Sequence, residues 1–77
     1  MTNNELLEKA YKLGLPKKGV YTINDIAKFV GKTRNAIYQQ YKHGNLNRLD
    51  KRCHIVYFLP DEVIEFIDEF YPYILYV

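Results

Sequence analysis

Between Arg34 and Lys42 the chain places Arg34, Asn35, Tyr38, Gln39 and Lys42, side chains rich in hydrogen-bond donors with no acid among them. Arginine presents a rigid fork of donors, asparagine and glutamine set a donor beside an acceptor, and tyrosine and lysine can reach a single anionic oxygen. That chemistry matches the edges of nucleic-acid bases. An Arg fork fits guanine O6 and N7, an Asn or Gln amide fits adenine N6 and N7, and Tyr packs on a thymine methyl or reaches a phosphate. An ordinary polar helix face uses some of the same residues, so the surrounding charge has to be weighed as well.

The charges are not spread evenly over the 77 residues, although their sum is only +2. Residues 26–54 hold Lys28, Lys32, Arg34, Lys42, Arg48, Lys51 and Arg52 against Asp50 alone, a net of +6. Residues 55–77 hold Asp61, Glu62, Glu65, Asp68 and Glu69 and no base, a net of −5. Such asymmetry is expected when one face meets a polyanion and another does not, although charge also collects on any solvated surface.

Catalytic chemistry finds no comparable support. Cys53 and His54 are adjacent and point to opposite sides of an extended segment, which defeats a direct nucleophile and base pair. Asp61, Glu62, Asp68 and Glu69 read as the solvated side of an amphipathic helix. Gly14 and Gly19 bracket Lys17 and Lys18 without the spacing of a phosphate loop. We therefore expect no enzyme, no cofactor and no metal, with His43 and His54 as ordinary surface histidines and Cys53 as a small core residue.

Length and composition narrow the class further. A chain of 77 residues makes a single domain that buries roughly 60% of its unfolded surface, so its eight Tyr and four Phe must supply much of the core. One cysteine excludes an intramolecular disulfide and points to a reducing, cytoplasmic setting. Residues 1–5 are polar and acidic with no basic lead into an apolar stretch, so secretion is not expected. No apolar run exceeds five residues, the length of Ile55 to Leu59, against about 20 for a membrane span.

The elements that must carry the donors follow from spacing. Asn3 or Asn4 caps a first helix with Leu6, Leu7, Ala10 and Tyr11 on one face, which runs to about Leu13 and stops at Gly14. After a turn over residues 14–19, Val20 and Tyr21 form a short extended stretch. Thr22 and Asp25 make a capping box for a second helix over about residues 23–30, with Ile26, Ala27 and Val30 inward. Gly31 supplies a left-handed exit, and Thr33 caps a third helix that ends at Gly44 and turns Ile37 and Tyr41 inward. Its other side then presents Arg34, Asn35, Tyr38, Gln39 and Lys42, and its exposed N–H groups beside Thr33 suit a phosphate. Two short helices joined across a glycine form a helix-turn-helix. Residues 46–59 read as a hairpin, with Arg48, Lys51, Arg52 and His54 around its turn for phosphate contact or for protection of a strand edge. Pro60 opens a fourth helix to about Phe70, with Val63, Ile64, Phe66, Ile67 and Phe70 inward. Tyr57 and Phe58 are assigned to packing as well. The apolar tail, residues 72–77, needs a partner, either the first helix or a second copy.

The run from Tyr21 to Tyr38, continuing through Lys42-His43-Gly44-Asn45-Leu46, resembles the winged helix-turn-helix of the MerR and excisionase superfamily. Tyr-Thr before an Ile-Ala helix, Gly-x-Thr-Arg, the inward Ile37 and a closing Gly-x-Leu carry the likeness. Tyr57-Phe58-Leu59-Pro60 resembles the second wing strand and the proline that follows it, so the likeness covers roughly residues 20–68. The resemblance implies that Arg34, Asn35 and Tyr38 meet the major groove and that residues 48–52 meet the backbone. The chain departs from the family in lacking a wing-tip glycine and the long coiled-coil helix of full MerR regulators, and in adding an N-terminal helix and an aromatic tail.

The expected architecture is mainly α with a small β-hairpin, a winged helix-turn-helix over residues 20–71 preceded by a helix and loop over residues 1–19. The expected function is sequence-specific binding of double-stranded DNA by a transcriptional regulator or excisionase-like factor. Thr33, Arg34, Asn35, Tyr38, Gln39 and Lys42 would read or anchor the duplex, with Lys32, Arg48, Lys51 and Arg52 on phosphate. A homodimer or cooperative multimer on DNA is expected, because one small domain binds weakly. The rival expectation is a protein-interaction module that holds a repressor or recombinase through its aromatic tail.

Overall fold

The computed structural model describes residues 2–50, 52 and 54–76; Met1, Lys51, Cys53 and Val77 lie outside the described residues. Five helices account for most of what is described: α1 (Asn3–Leu13), α2 (Ile23–Val30), α3 (Arg34–Lys42), α4 (Pro60–Phe70) and α5 (Pro72–Leu75). Extended pairing among these residues is confined to one antiparallel bridge, Tyr21 with Phe58.

α1, α2 and α3 each start at a threonine whose side chain accepts from an orphan N–H group, whereas α4 and α5 start at a proline with no side-chain cap. Thr2, one residue before the expected Asn3 or Asn4, caps α1 by accepting from the Glu5 N–H. Gly14 ends α1 at φ 117°, a conformation a side chain would strain. The capping box on α2 is complete: Thr22 Oγ1 accepts from the Asp25 N–H at 3.3 Å, and Asp25 Oδ2 accepts from the Thr22 N–H at 3.0 Å. Gly31, at φ 74°, closes α2 through a bond from its N–H to the Ala27 carbonyl. After Lys32, Thr33 caps α3 by accepting from the Ala36 N–H at 3.1 Å. Pro60 occupies the first turn of α4, followed by Asp61 and Glu62 at the positive end of the helix dipole.

The core is continuous and aliphatic-aromatic. Leu6, Leu7 and Ala10 of α1, Ile23, Ile26, Ala27 and Val30 of α2, Ile37 of α3 and Val63, Ile64, Phe66 and Ile67 of α4 are all buried together with Leu15, Tyr21, Leu46, Phe58 and Leu75. The apolar tail finds its partner within the chain, since Leu75 joins this core and α5 packs on α1 and α4. Lys9 Nζ lies 4.9 Å from the Tyr76 ring centroid, and Tyr76 donates its hydroxyl to Asp68 at 2.8 Å. Phe70, expected inward, is partly exposed and rests against Phe66 with ring centroids 5.2 Å apart. It falls at the edge of the α4 face, where the helix ends at Tyr71.

Residues 46–59 do not form a ladder among the described residues. Leu46 is buried, the Leu49 N–H reaches the Tyr57 carbonyl at 2.7 Å, and between them the chain turns irregularly around Asp50 and Arg52. A tight primed hairpin turn needs positive φ at one or both central residues, and among the described residues only Gly14, Gly31 and Gly44 have it. The glycine-free sequence from Asn45 to Leu59 does not supply that turn. No helix among the described residues is long and apolar enough to cross a membrane.

Candidate functional site

The α2–α3 unit fixes the orientation of the donors. Ile37 is fully buried, and this one anchor turns the opposite side of α3 outward. Arg34, Asn35, Gln39 and Lys42 are exposed together with Lys32 and Thr33 at the turn, and Tyr38 is half-buried beside them. No Asp or Glu occurs from Ile26 to Leu49, so nothing on α3 or its flanking turns neutralises this surface. Three of the five acids of α4 are engaged elsewhere: Glu65 accepts from the Asn3 amide, Asp68 from Tyr76 and Glu62 from the Asn47 N–H.

Tyr38 and Lys42 act as a pair. Lys42 Nζ sits 5.3 Å from the Tyr38 ring centroid at i, i+4 spacing, a cation–π contact that steadies both side chains. Tyr38 in turn meets Tyr41 with ring centroids 6.0 Å apart, and Tyr41 meets the buried Phe58 edge-on at 5.8 Å. This aromatic chain ties the exposed face of α3 to the core. Thr33 spends its hydroxyl acceptor on capping the helix, while the N–H groups of Arg34 and Asn35 lie in the first turn, beyond the reach of intrahelical acceptors. The Gln40 and Asn45 side-chain amides bond each other at the far end of α3 and fix its exit.

The cations expected around the hairpin turn are placed differently from one another. Arg48 is half-buried and folds back onto α3, with its Nη1 3.5 Å from the Tyr41 hydroxyl. It lines a recess of about 400 Å³ with Tyr41, Lys42 and Leu46, and its Nε is buried. Arg52 is 92% exposed, but its Nε and its backbone N–H both reach Asp50 Oδ1, at 3.4 and 2.9 Å. The acid at position 50 thus partly offsets the cation two residues on. The expected contact at Lys51 lies outside the described residues.

Two features escaped the sequence pattern. A groove of about 360 Å³ lies between the first turns of α2 and α3 and residues 54–56, and it brings Asn24, His54, Ile55 and Val56 against Arg34 and Tyr38. Its members are separated by some 30 positions in the chain, so only the fold assembles them. The second is the brace under α2. Lys18 Nζ donates to Asp25 Oδ2 at 2.9 Å, and the Tyr21 hydroxyl donates to the Pro16 carbonyl while accepting from the Lys18 N–H. Burial alone would raise the Asp25 carboxyl, but the hydrogen bonds from Lys18 and the Thr22 backbone, with the charge of Lys18, outweigh it and hold the group below its usual value.

The arrangement is suited to laying one helix, flanked by cations, against an extended anionic surface whose acceptors lie in a plane. Comparison with protein-family models, with curated proteins and with solved structures finds no match to this chain.

Proposed function

We propose that the chain is a winged helix-turn-helix protein of the MerR and excisionase type that binds double-stranded DNA, with α3 in the major groove and residues 48–52 against the backbone. The observation that carries this reading is the exposed, acid-free side of α3, where Arg34, Asn35, Gln39 and Lys42 stand together over a buried Ile37. Lys32 and Thr33 at the start of α3 suit phosphate, and Arg34 and Asn35 in the first turn are where a recognition helix meets base edges. Arg52 supports backbone contact through its exposure, and Arg48 supports it through its position beside Lys42. Copies of the chain would bind as a dimer or cooperatively, because one module covers little DNA.

Selection of duplexes from a random pool, followed by titration of the selected site, tests the proposal. Arg34→Ala is expected to cost about 1–3 kcal/mol and to relax sequence choice. Arg34→Ala binding as tightly and as selectively as the parent overturns the assignment of α3.

A second reading, a module that holds another protein, is favoured by one observation. Leu13, Tyr73 and Tyr76 are 53%, 58% and 51% exposed around α1 and α5. Deleting the tail does not isolate this reading, since Leu75 belongs to the core. Tyr73→Ser leaves the core intact and is the variant to compare in partner capture and in DNA binding.

A further inference from the structure

We infer that the groove between α2, α3 and residues 54–56 receives the methyl group of a 5-methylpyrimidine, thymine in ordinary DNA, beside a guanine held by Arg34, and that Ile55 thereby sets part of the base preference. This rests on the DNA-binding reading above and names what one part of that site selects.

Three observations support it. Ile55 is a β-branched apolar side chain left 57% exposed, with no burial to explain its choice over a polar residue. It lines the same groove as Arg34 and Tyr38, at the end of α3 where base edges are met. The groove has apolar walls in Ile23, Ile55 and Val56, yet carries donors in Asn24, Arg34 and His54 and no acid. A polar ligand edge with one apolar corner fits such a lining.

The major-groove edges of DNA supply that combination at a pyrimidine next to guanine. Thymine presents its methyl beside the O4 acceptor, and guanine presents O6 and N7, which take the Arg fork. Cytosine lacks the methyl and offers a donor where thymine offers an acceptor, so Asn24 and His54 acting as donors favour thymine twice over. Leu49 and Leu59 are also exposed, at 50% and 44%, but neither lines the groove. Leu59, which also lies outside residues 48–52, serves as the internal control.

The test uses the full chain and the duplex that it enriches from a random pool. Each thymine of that duplex is replaced in turn by deoxyuridine, which removes only the methyl, and binding is titrated for the parent, Ile55→Ser and Leu59→Ser. One thymine adjacent to a guanine is expected to show about fourfold weaker parent binding on replacement, the effect of one buried methyl. Ile55→Ser should lose that sensitivity while unfolding at the parent's temperature, and Leu59→Ser should keep it. A 5-methylcytosine at that position should bind more tightly than cytosine. If no thymine is sensitive, or if Ile55→Ser discriminates as well as the parent, the inference fails and the DNA reading stands. If no duplex is enriched, both fail.

Discussion

Tyr21 and Phe58 exchange both backbone hydrogen bonds, each 2.8 Å long, across 37 positions of chain. Both side chains are fully buried. The bridge joins the residue that leads into the Thr22 cap of α2 to the residue two before Pro60, which opens α4. It therefore sets the α2–α3 unit against α4 and holds the start of the candidate groove.

Phe58→Ala removes a fully buried ring that also supports Tyr41. A loss of about 3–5 kcal/mol is expected, a large share of the stability of so small a domain, and is measured by urea unfolding. Tyr21→Phe keeps the ring and removes the hydroxyl bonded to Pro16 and Lys18, so it should cost only about 1 kcal/mol. Equal losses for the two variants would contradict the placement of the ring as the main support.

Stability should depend on Asp25 in acid. Its carboxyl is held below the usual value in the folded chain, whereas in the unfolded chain it titrates near about 3.9. The unfolded state then binds the proton first. The contribution of Asp25 is complete above that unfolded value and disappears as pH falls through the folded one. Comparing thermal unfolding of the parent and Asp25→Asn from neutral pH into the acid range below the unfolded value of about 3.9 should show the parent's advantage shrinking below about pH 4. An advantage that stays constant through the acid range would contradict the Lys18–Asp25 brace.

Gly31→Ala tests the turn that aims α3. The residue sits at φ 74° with open space around it, so a methyl group meets backbone strain and no clash. The expected cost is about 1 kcal/mol. Gly19→Ala, outside the left-handed region and also in open space, should be neutral or slightly stabilising. Differential scanning calorimetry distinguishes them by the sign of the shift in Tm.

Lys32 should act through phosphate alone. Lys32→Ala is expected to weaken binding to selected and unselected duplexes alike and to reduce the slope of log affinity against log salt by about 1. An unchanged salt slope would take Lys32 out of the interface.

Local chemistry made most of the helices legible in the sequence. The Thr22–Asp25 box, Gly31, Thr33 and the Pro60-Asp61-Glu62 start are short-range signals, and they act through bonds between residues one to four apart. The side of α3 that faces outward was equally legible, because burying Ile37 fixes the rotation of the whole helix. Thr2 in place of Asn3 or Asn4 shows the usual uncertainty of a helix end.

What only the tertiary structure decided depends on residues far apart in the chain. Among the described residues of 46–59 the expected hairpin shows no ladder, because extended propensity creates none without a turn that aligns the two arms. Arg48 and Arg52 have the same charge, but one folds onto Tyr41 and the other meets Asp50, a difference no periodicity encodes. Phe70 reads as inward from its spacing yet lies where α4 runs out of neighbours to pack against. The groove that joins Arg34 to Ile55 exists only because the Tyr21–Phe58 bridge brings two distant segments side by side. Sequence alone settled which residues α3 would show; the long-range packing of the chain settled what stands next to them.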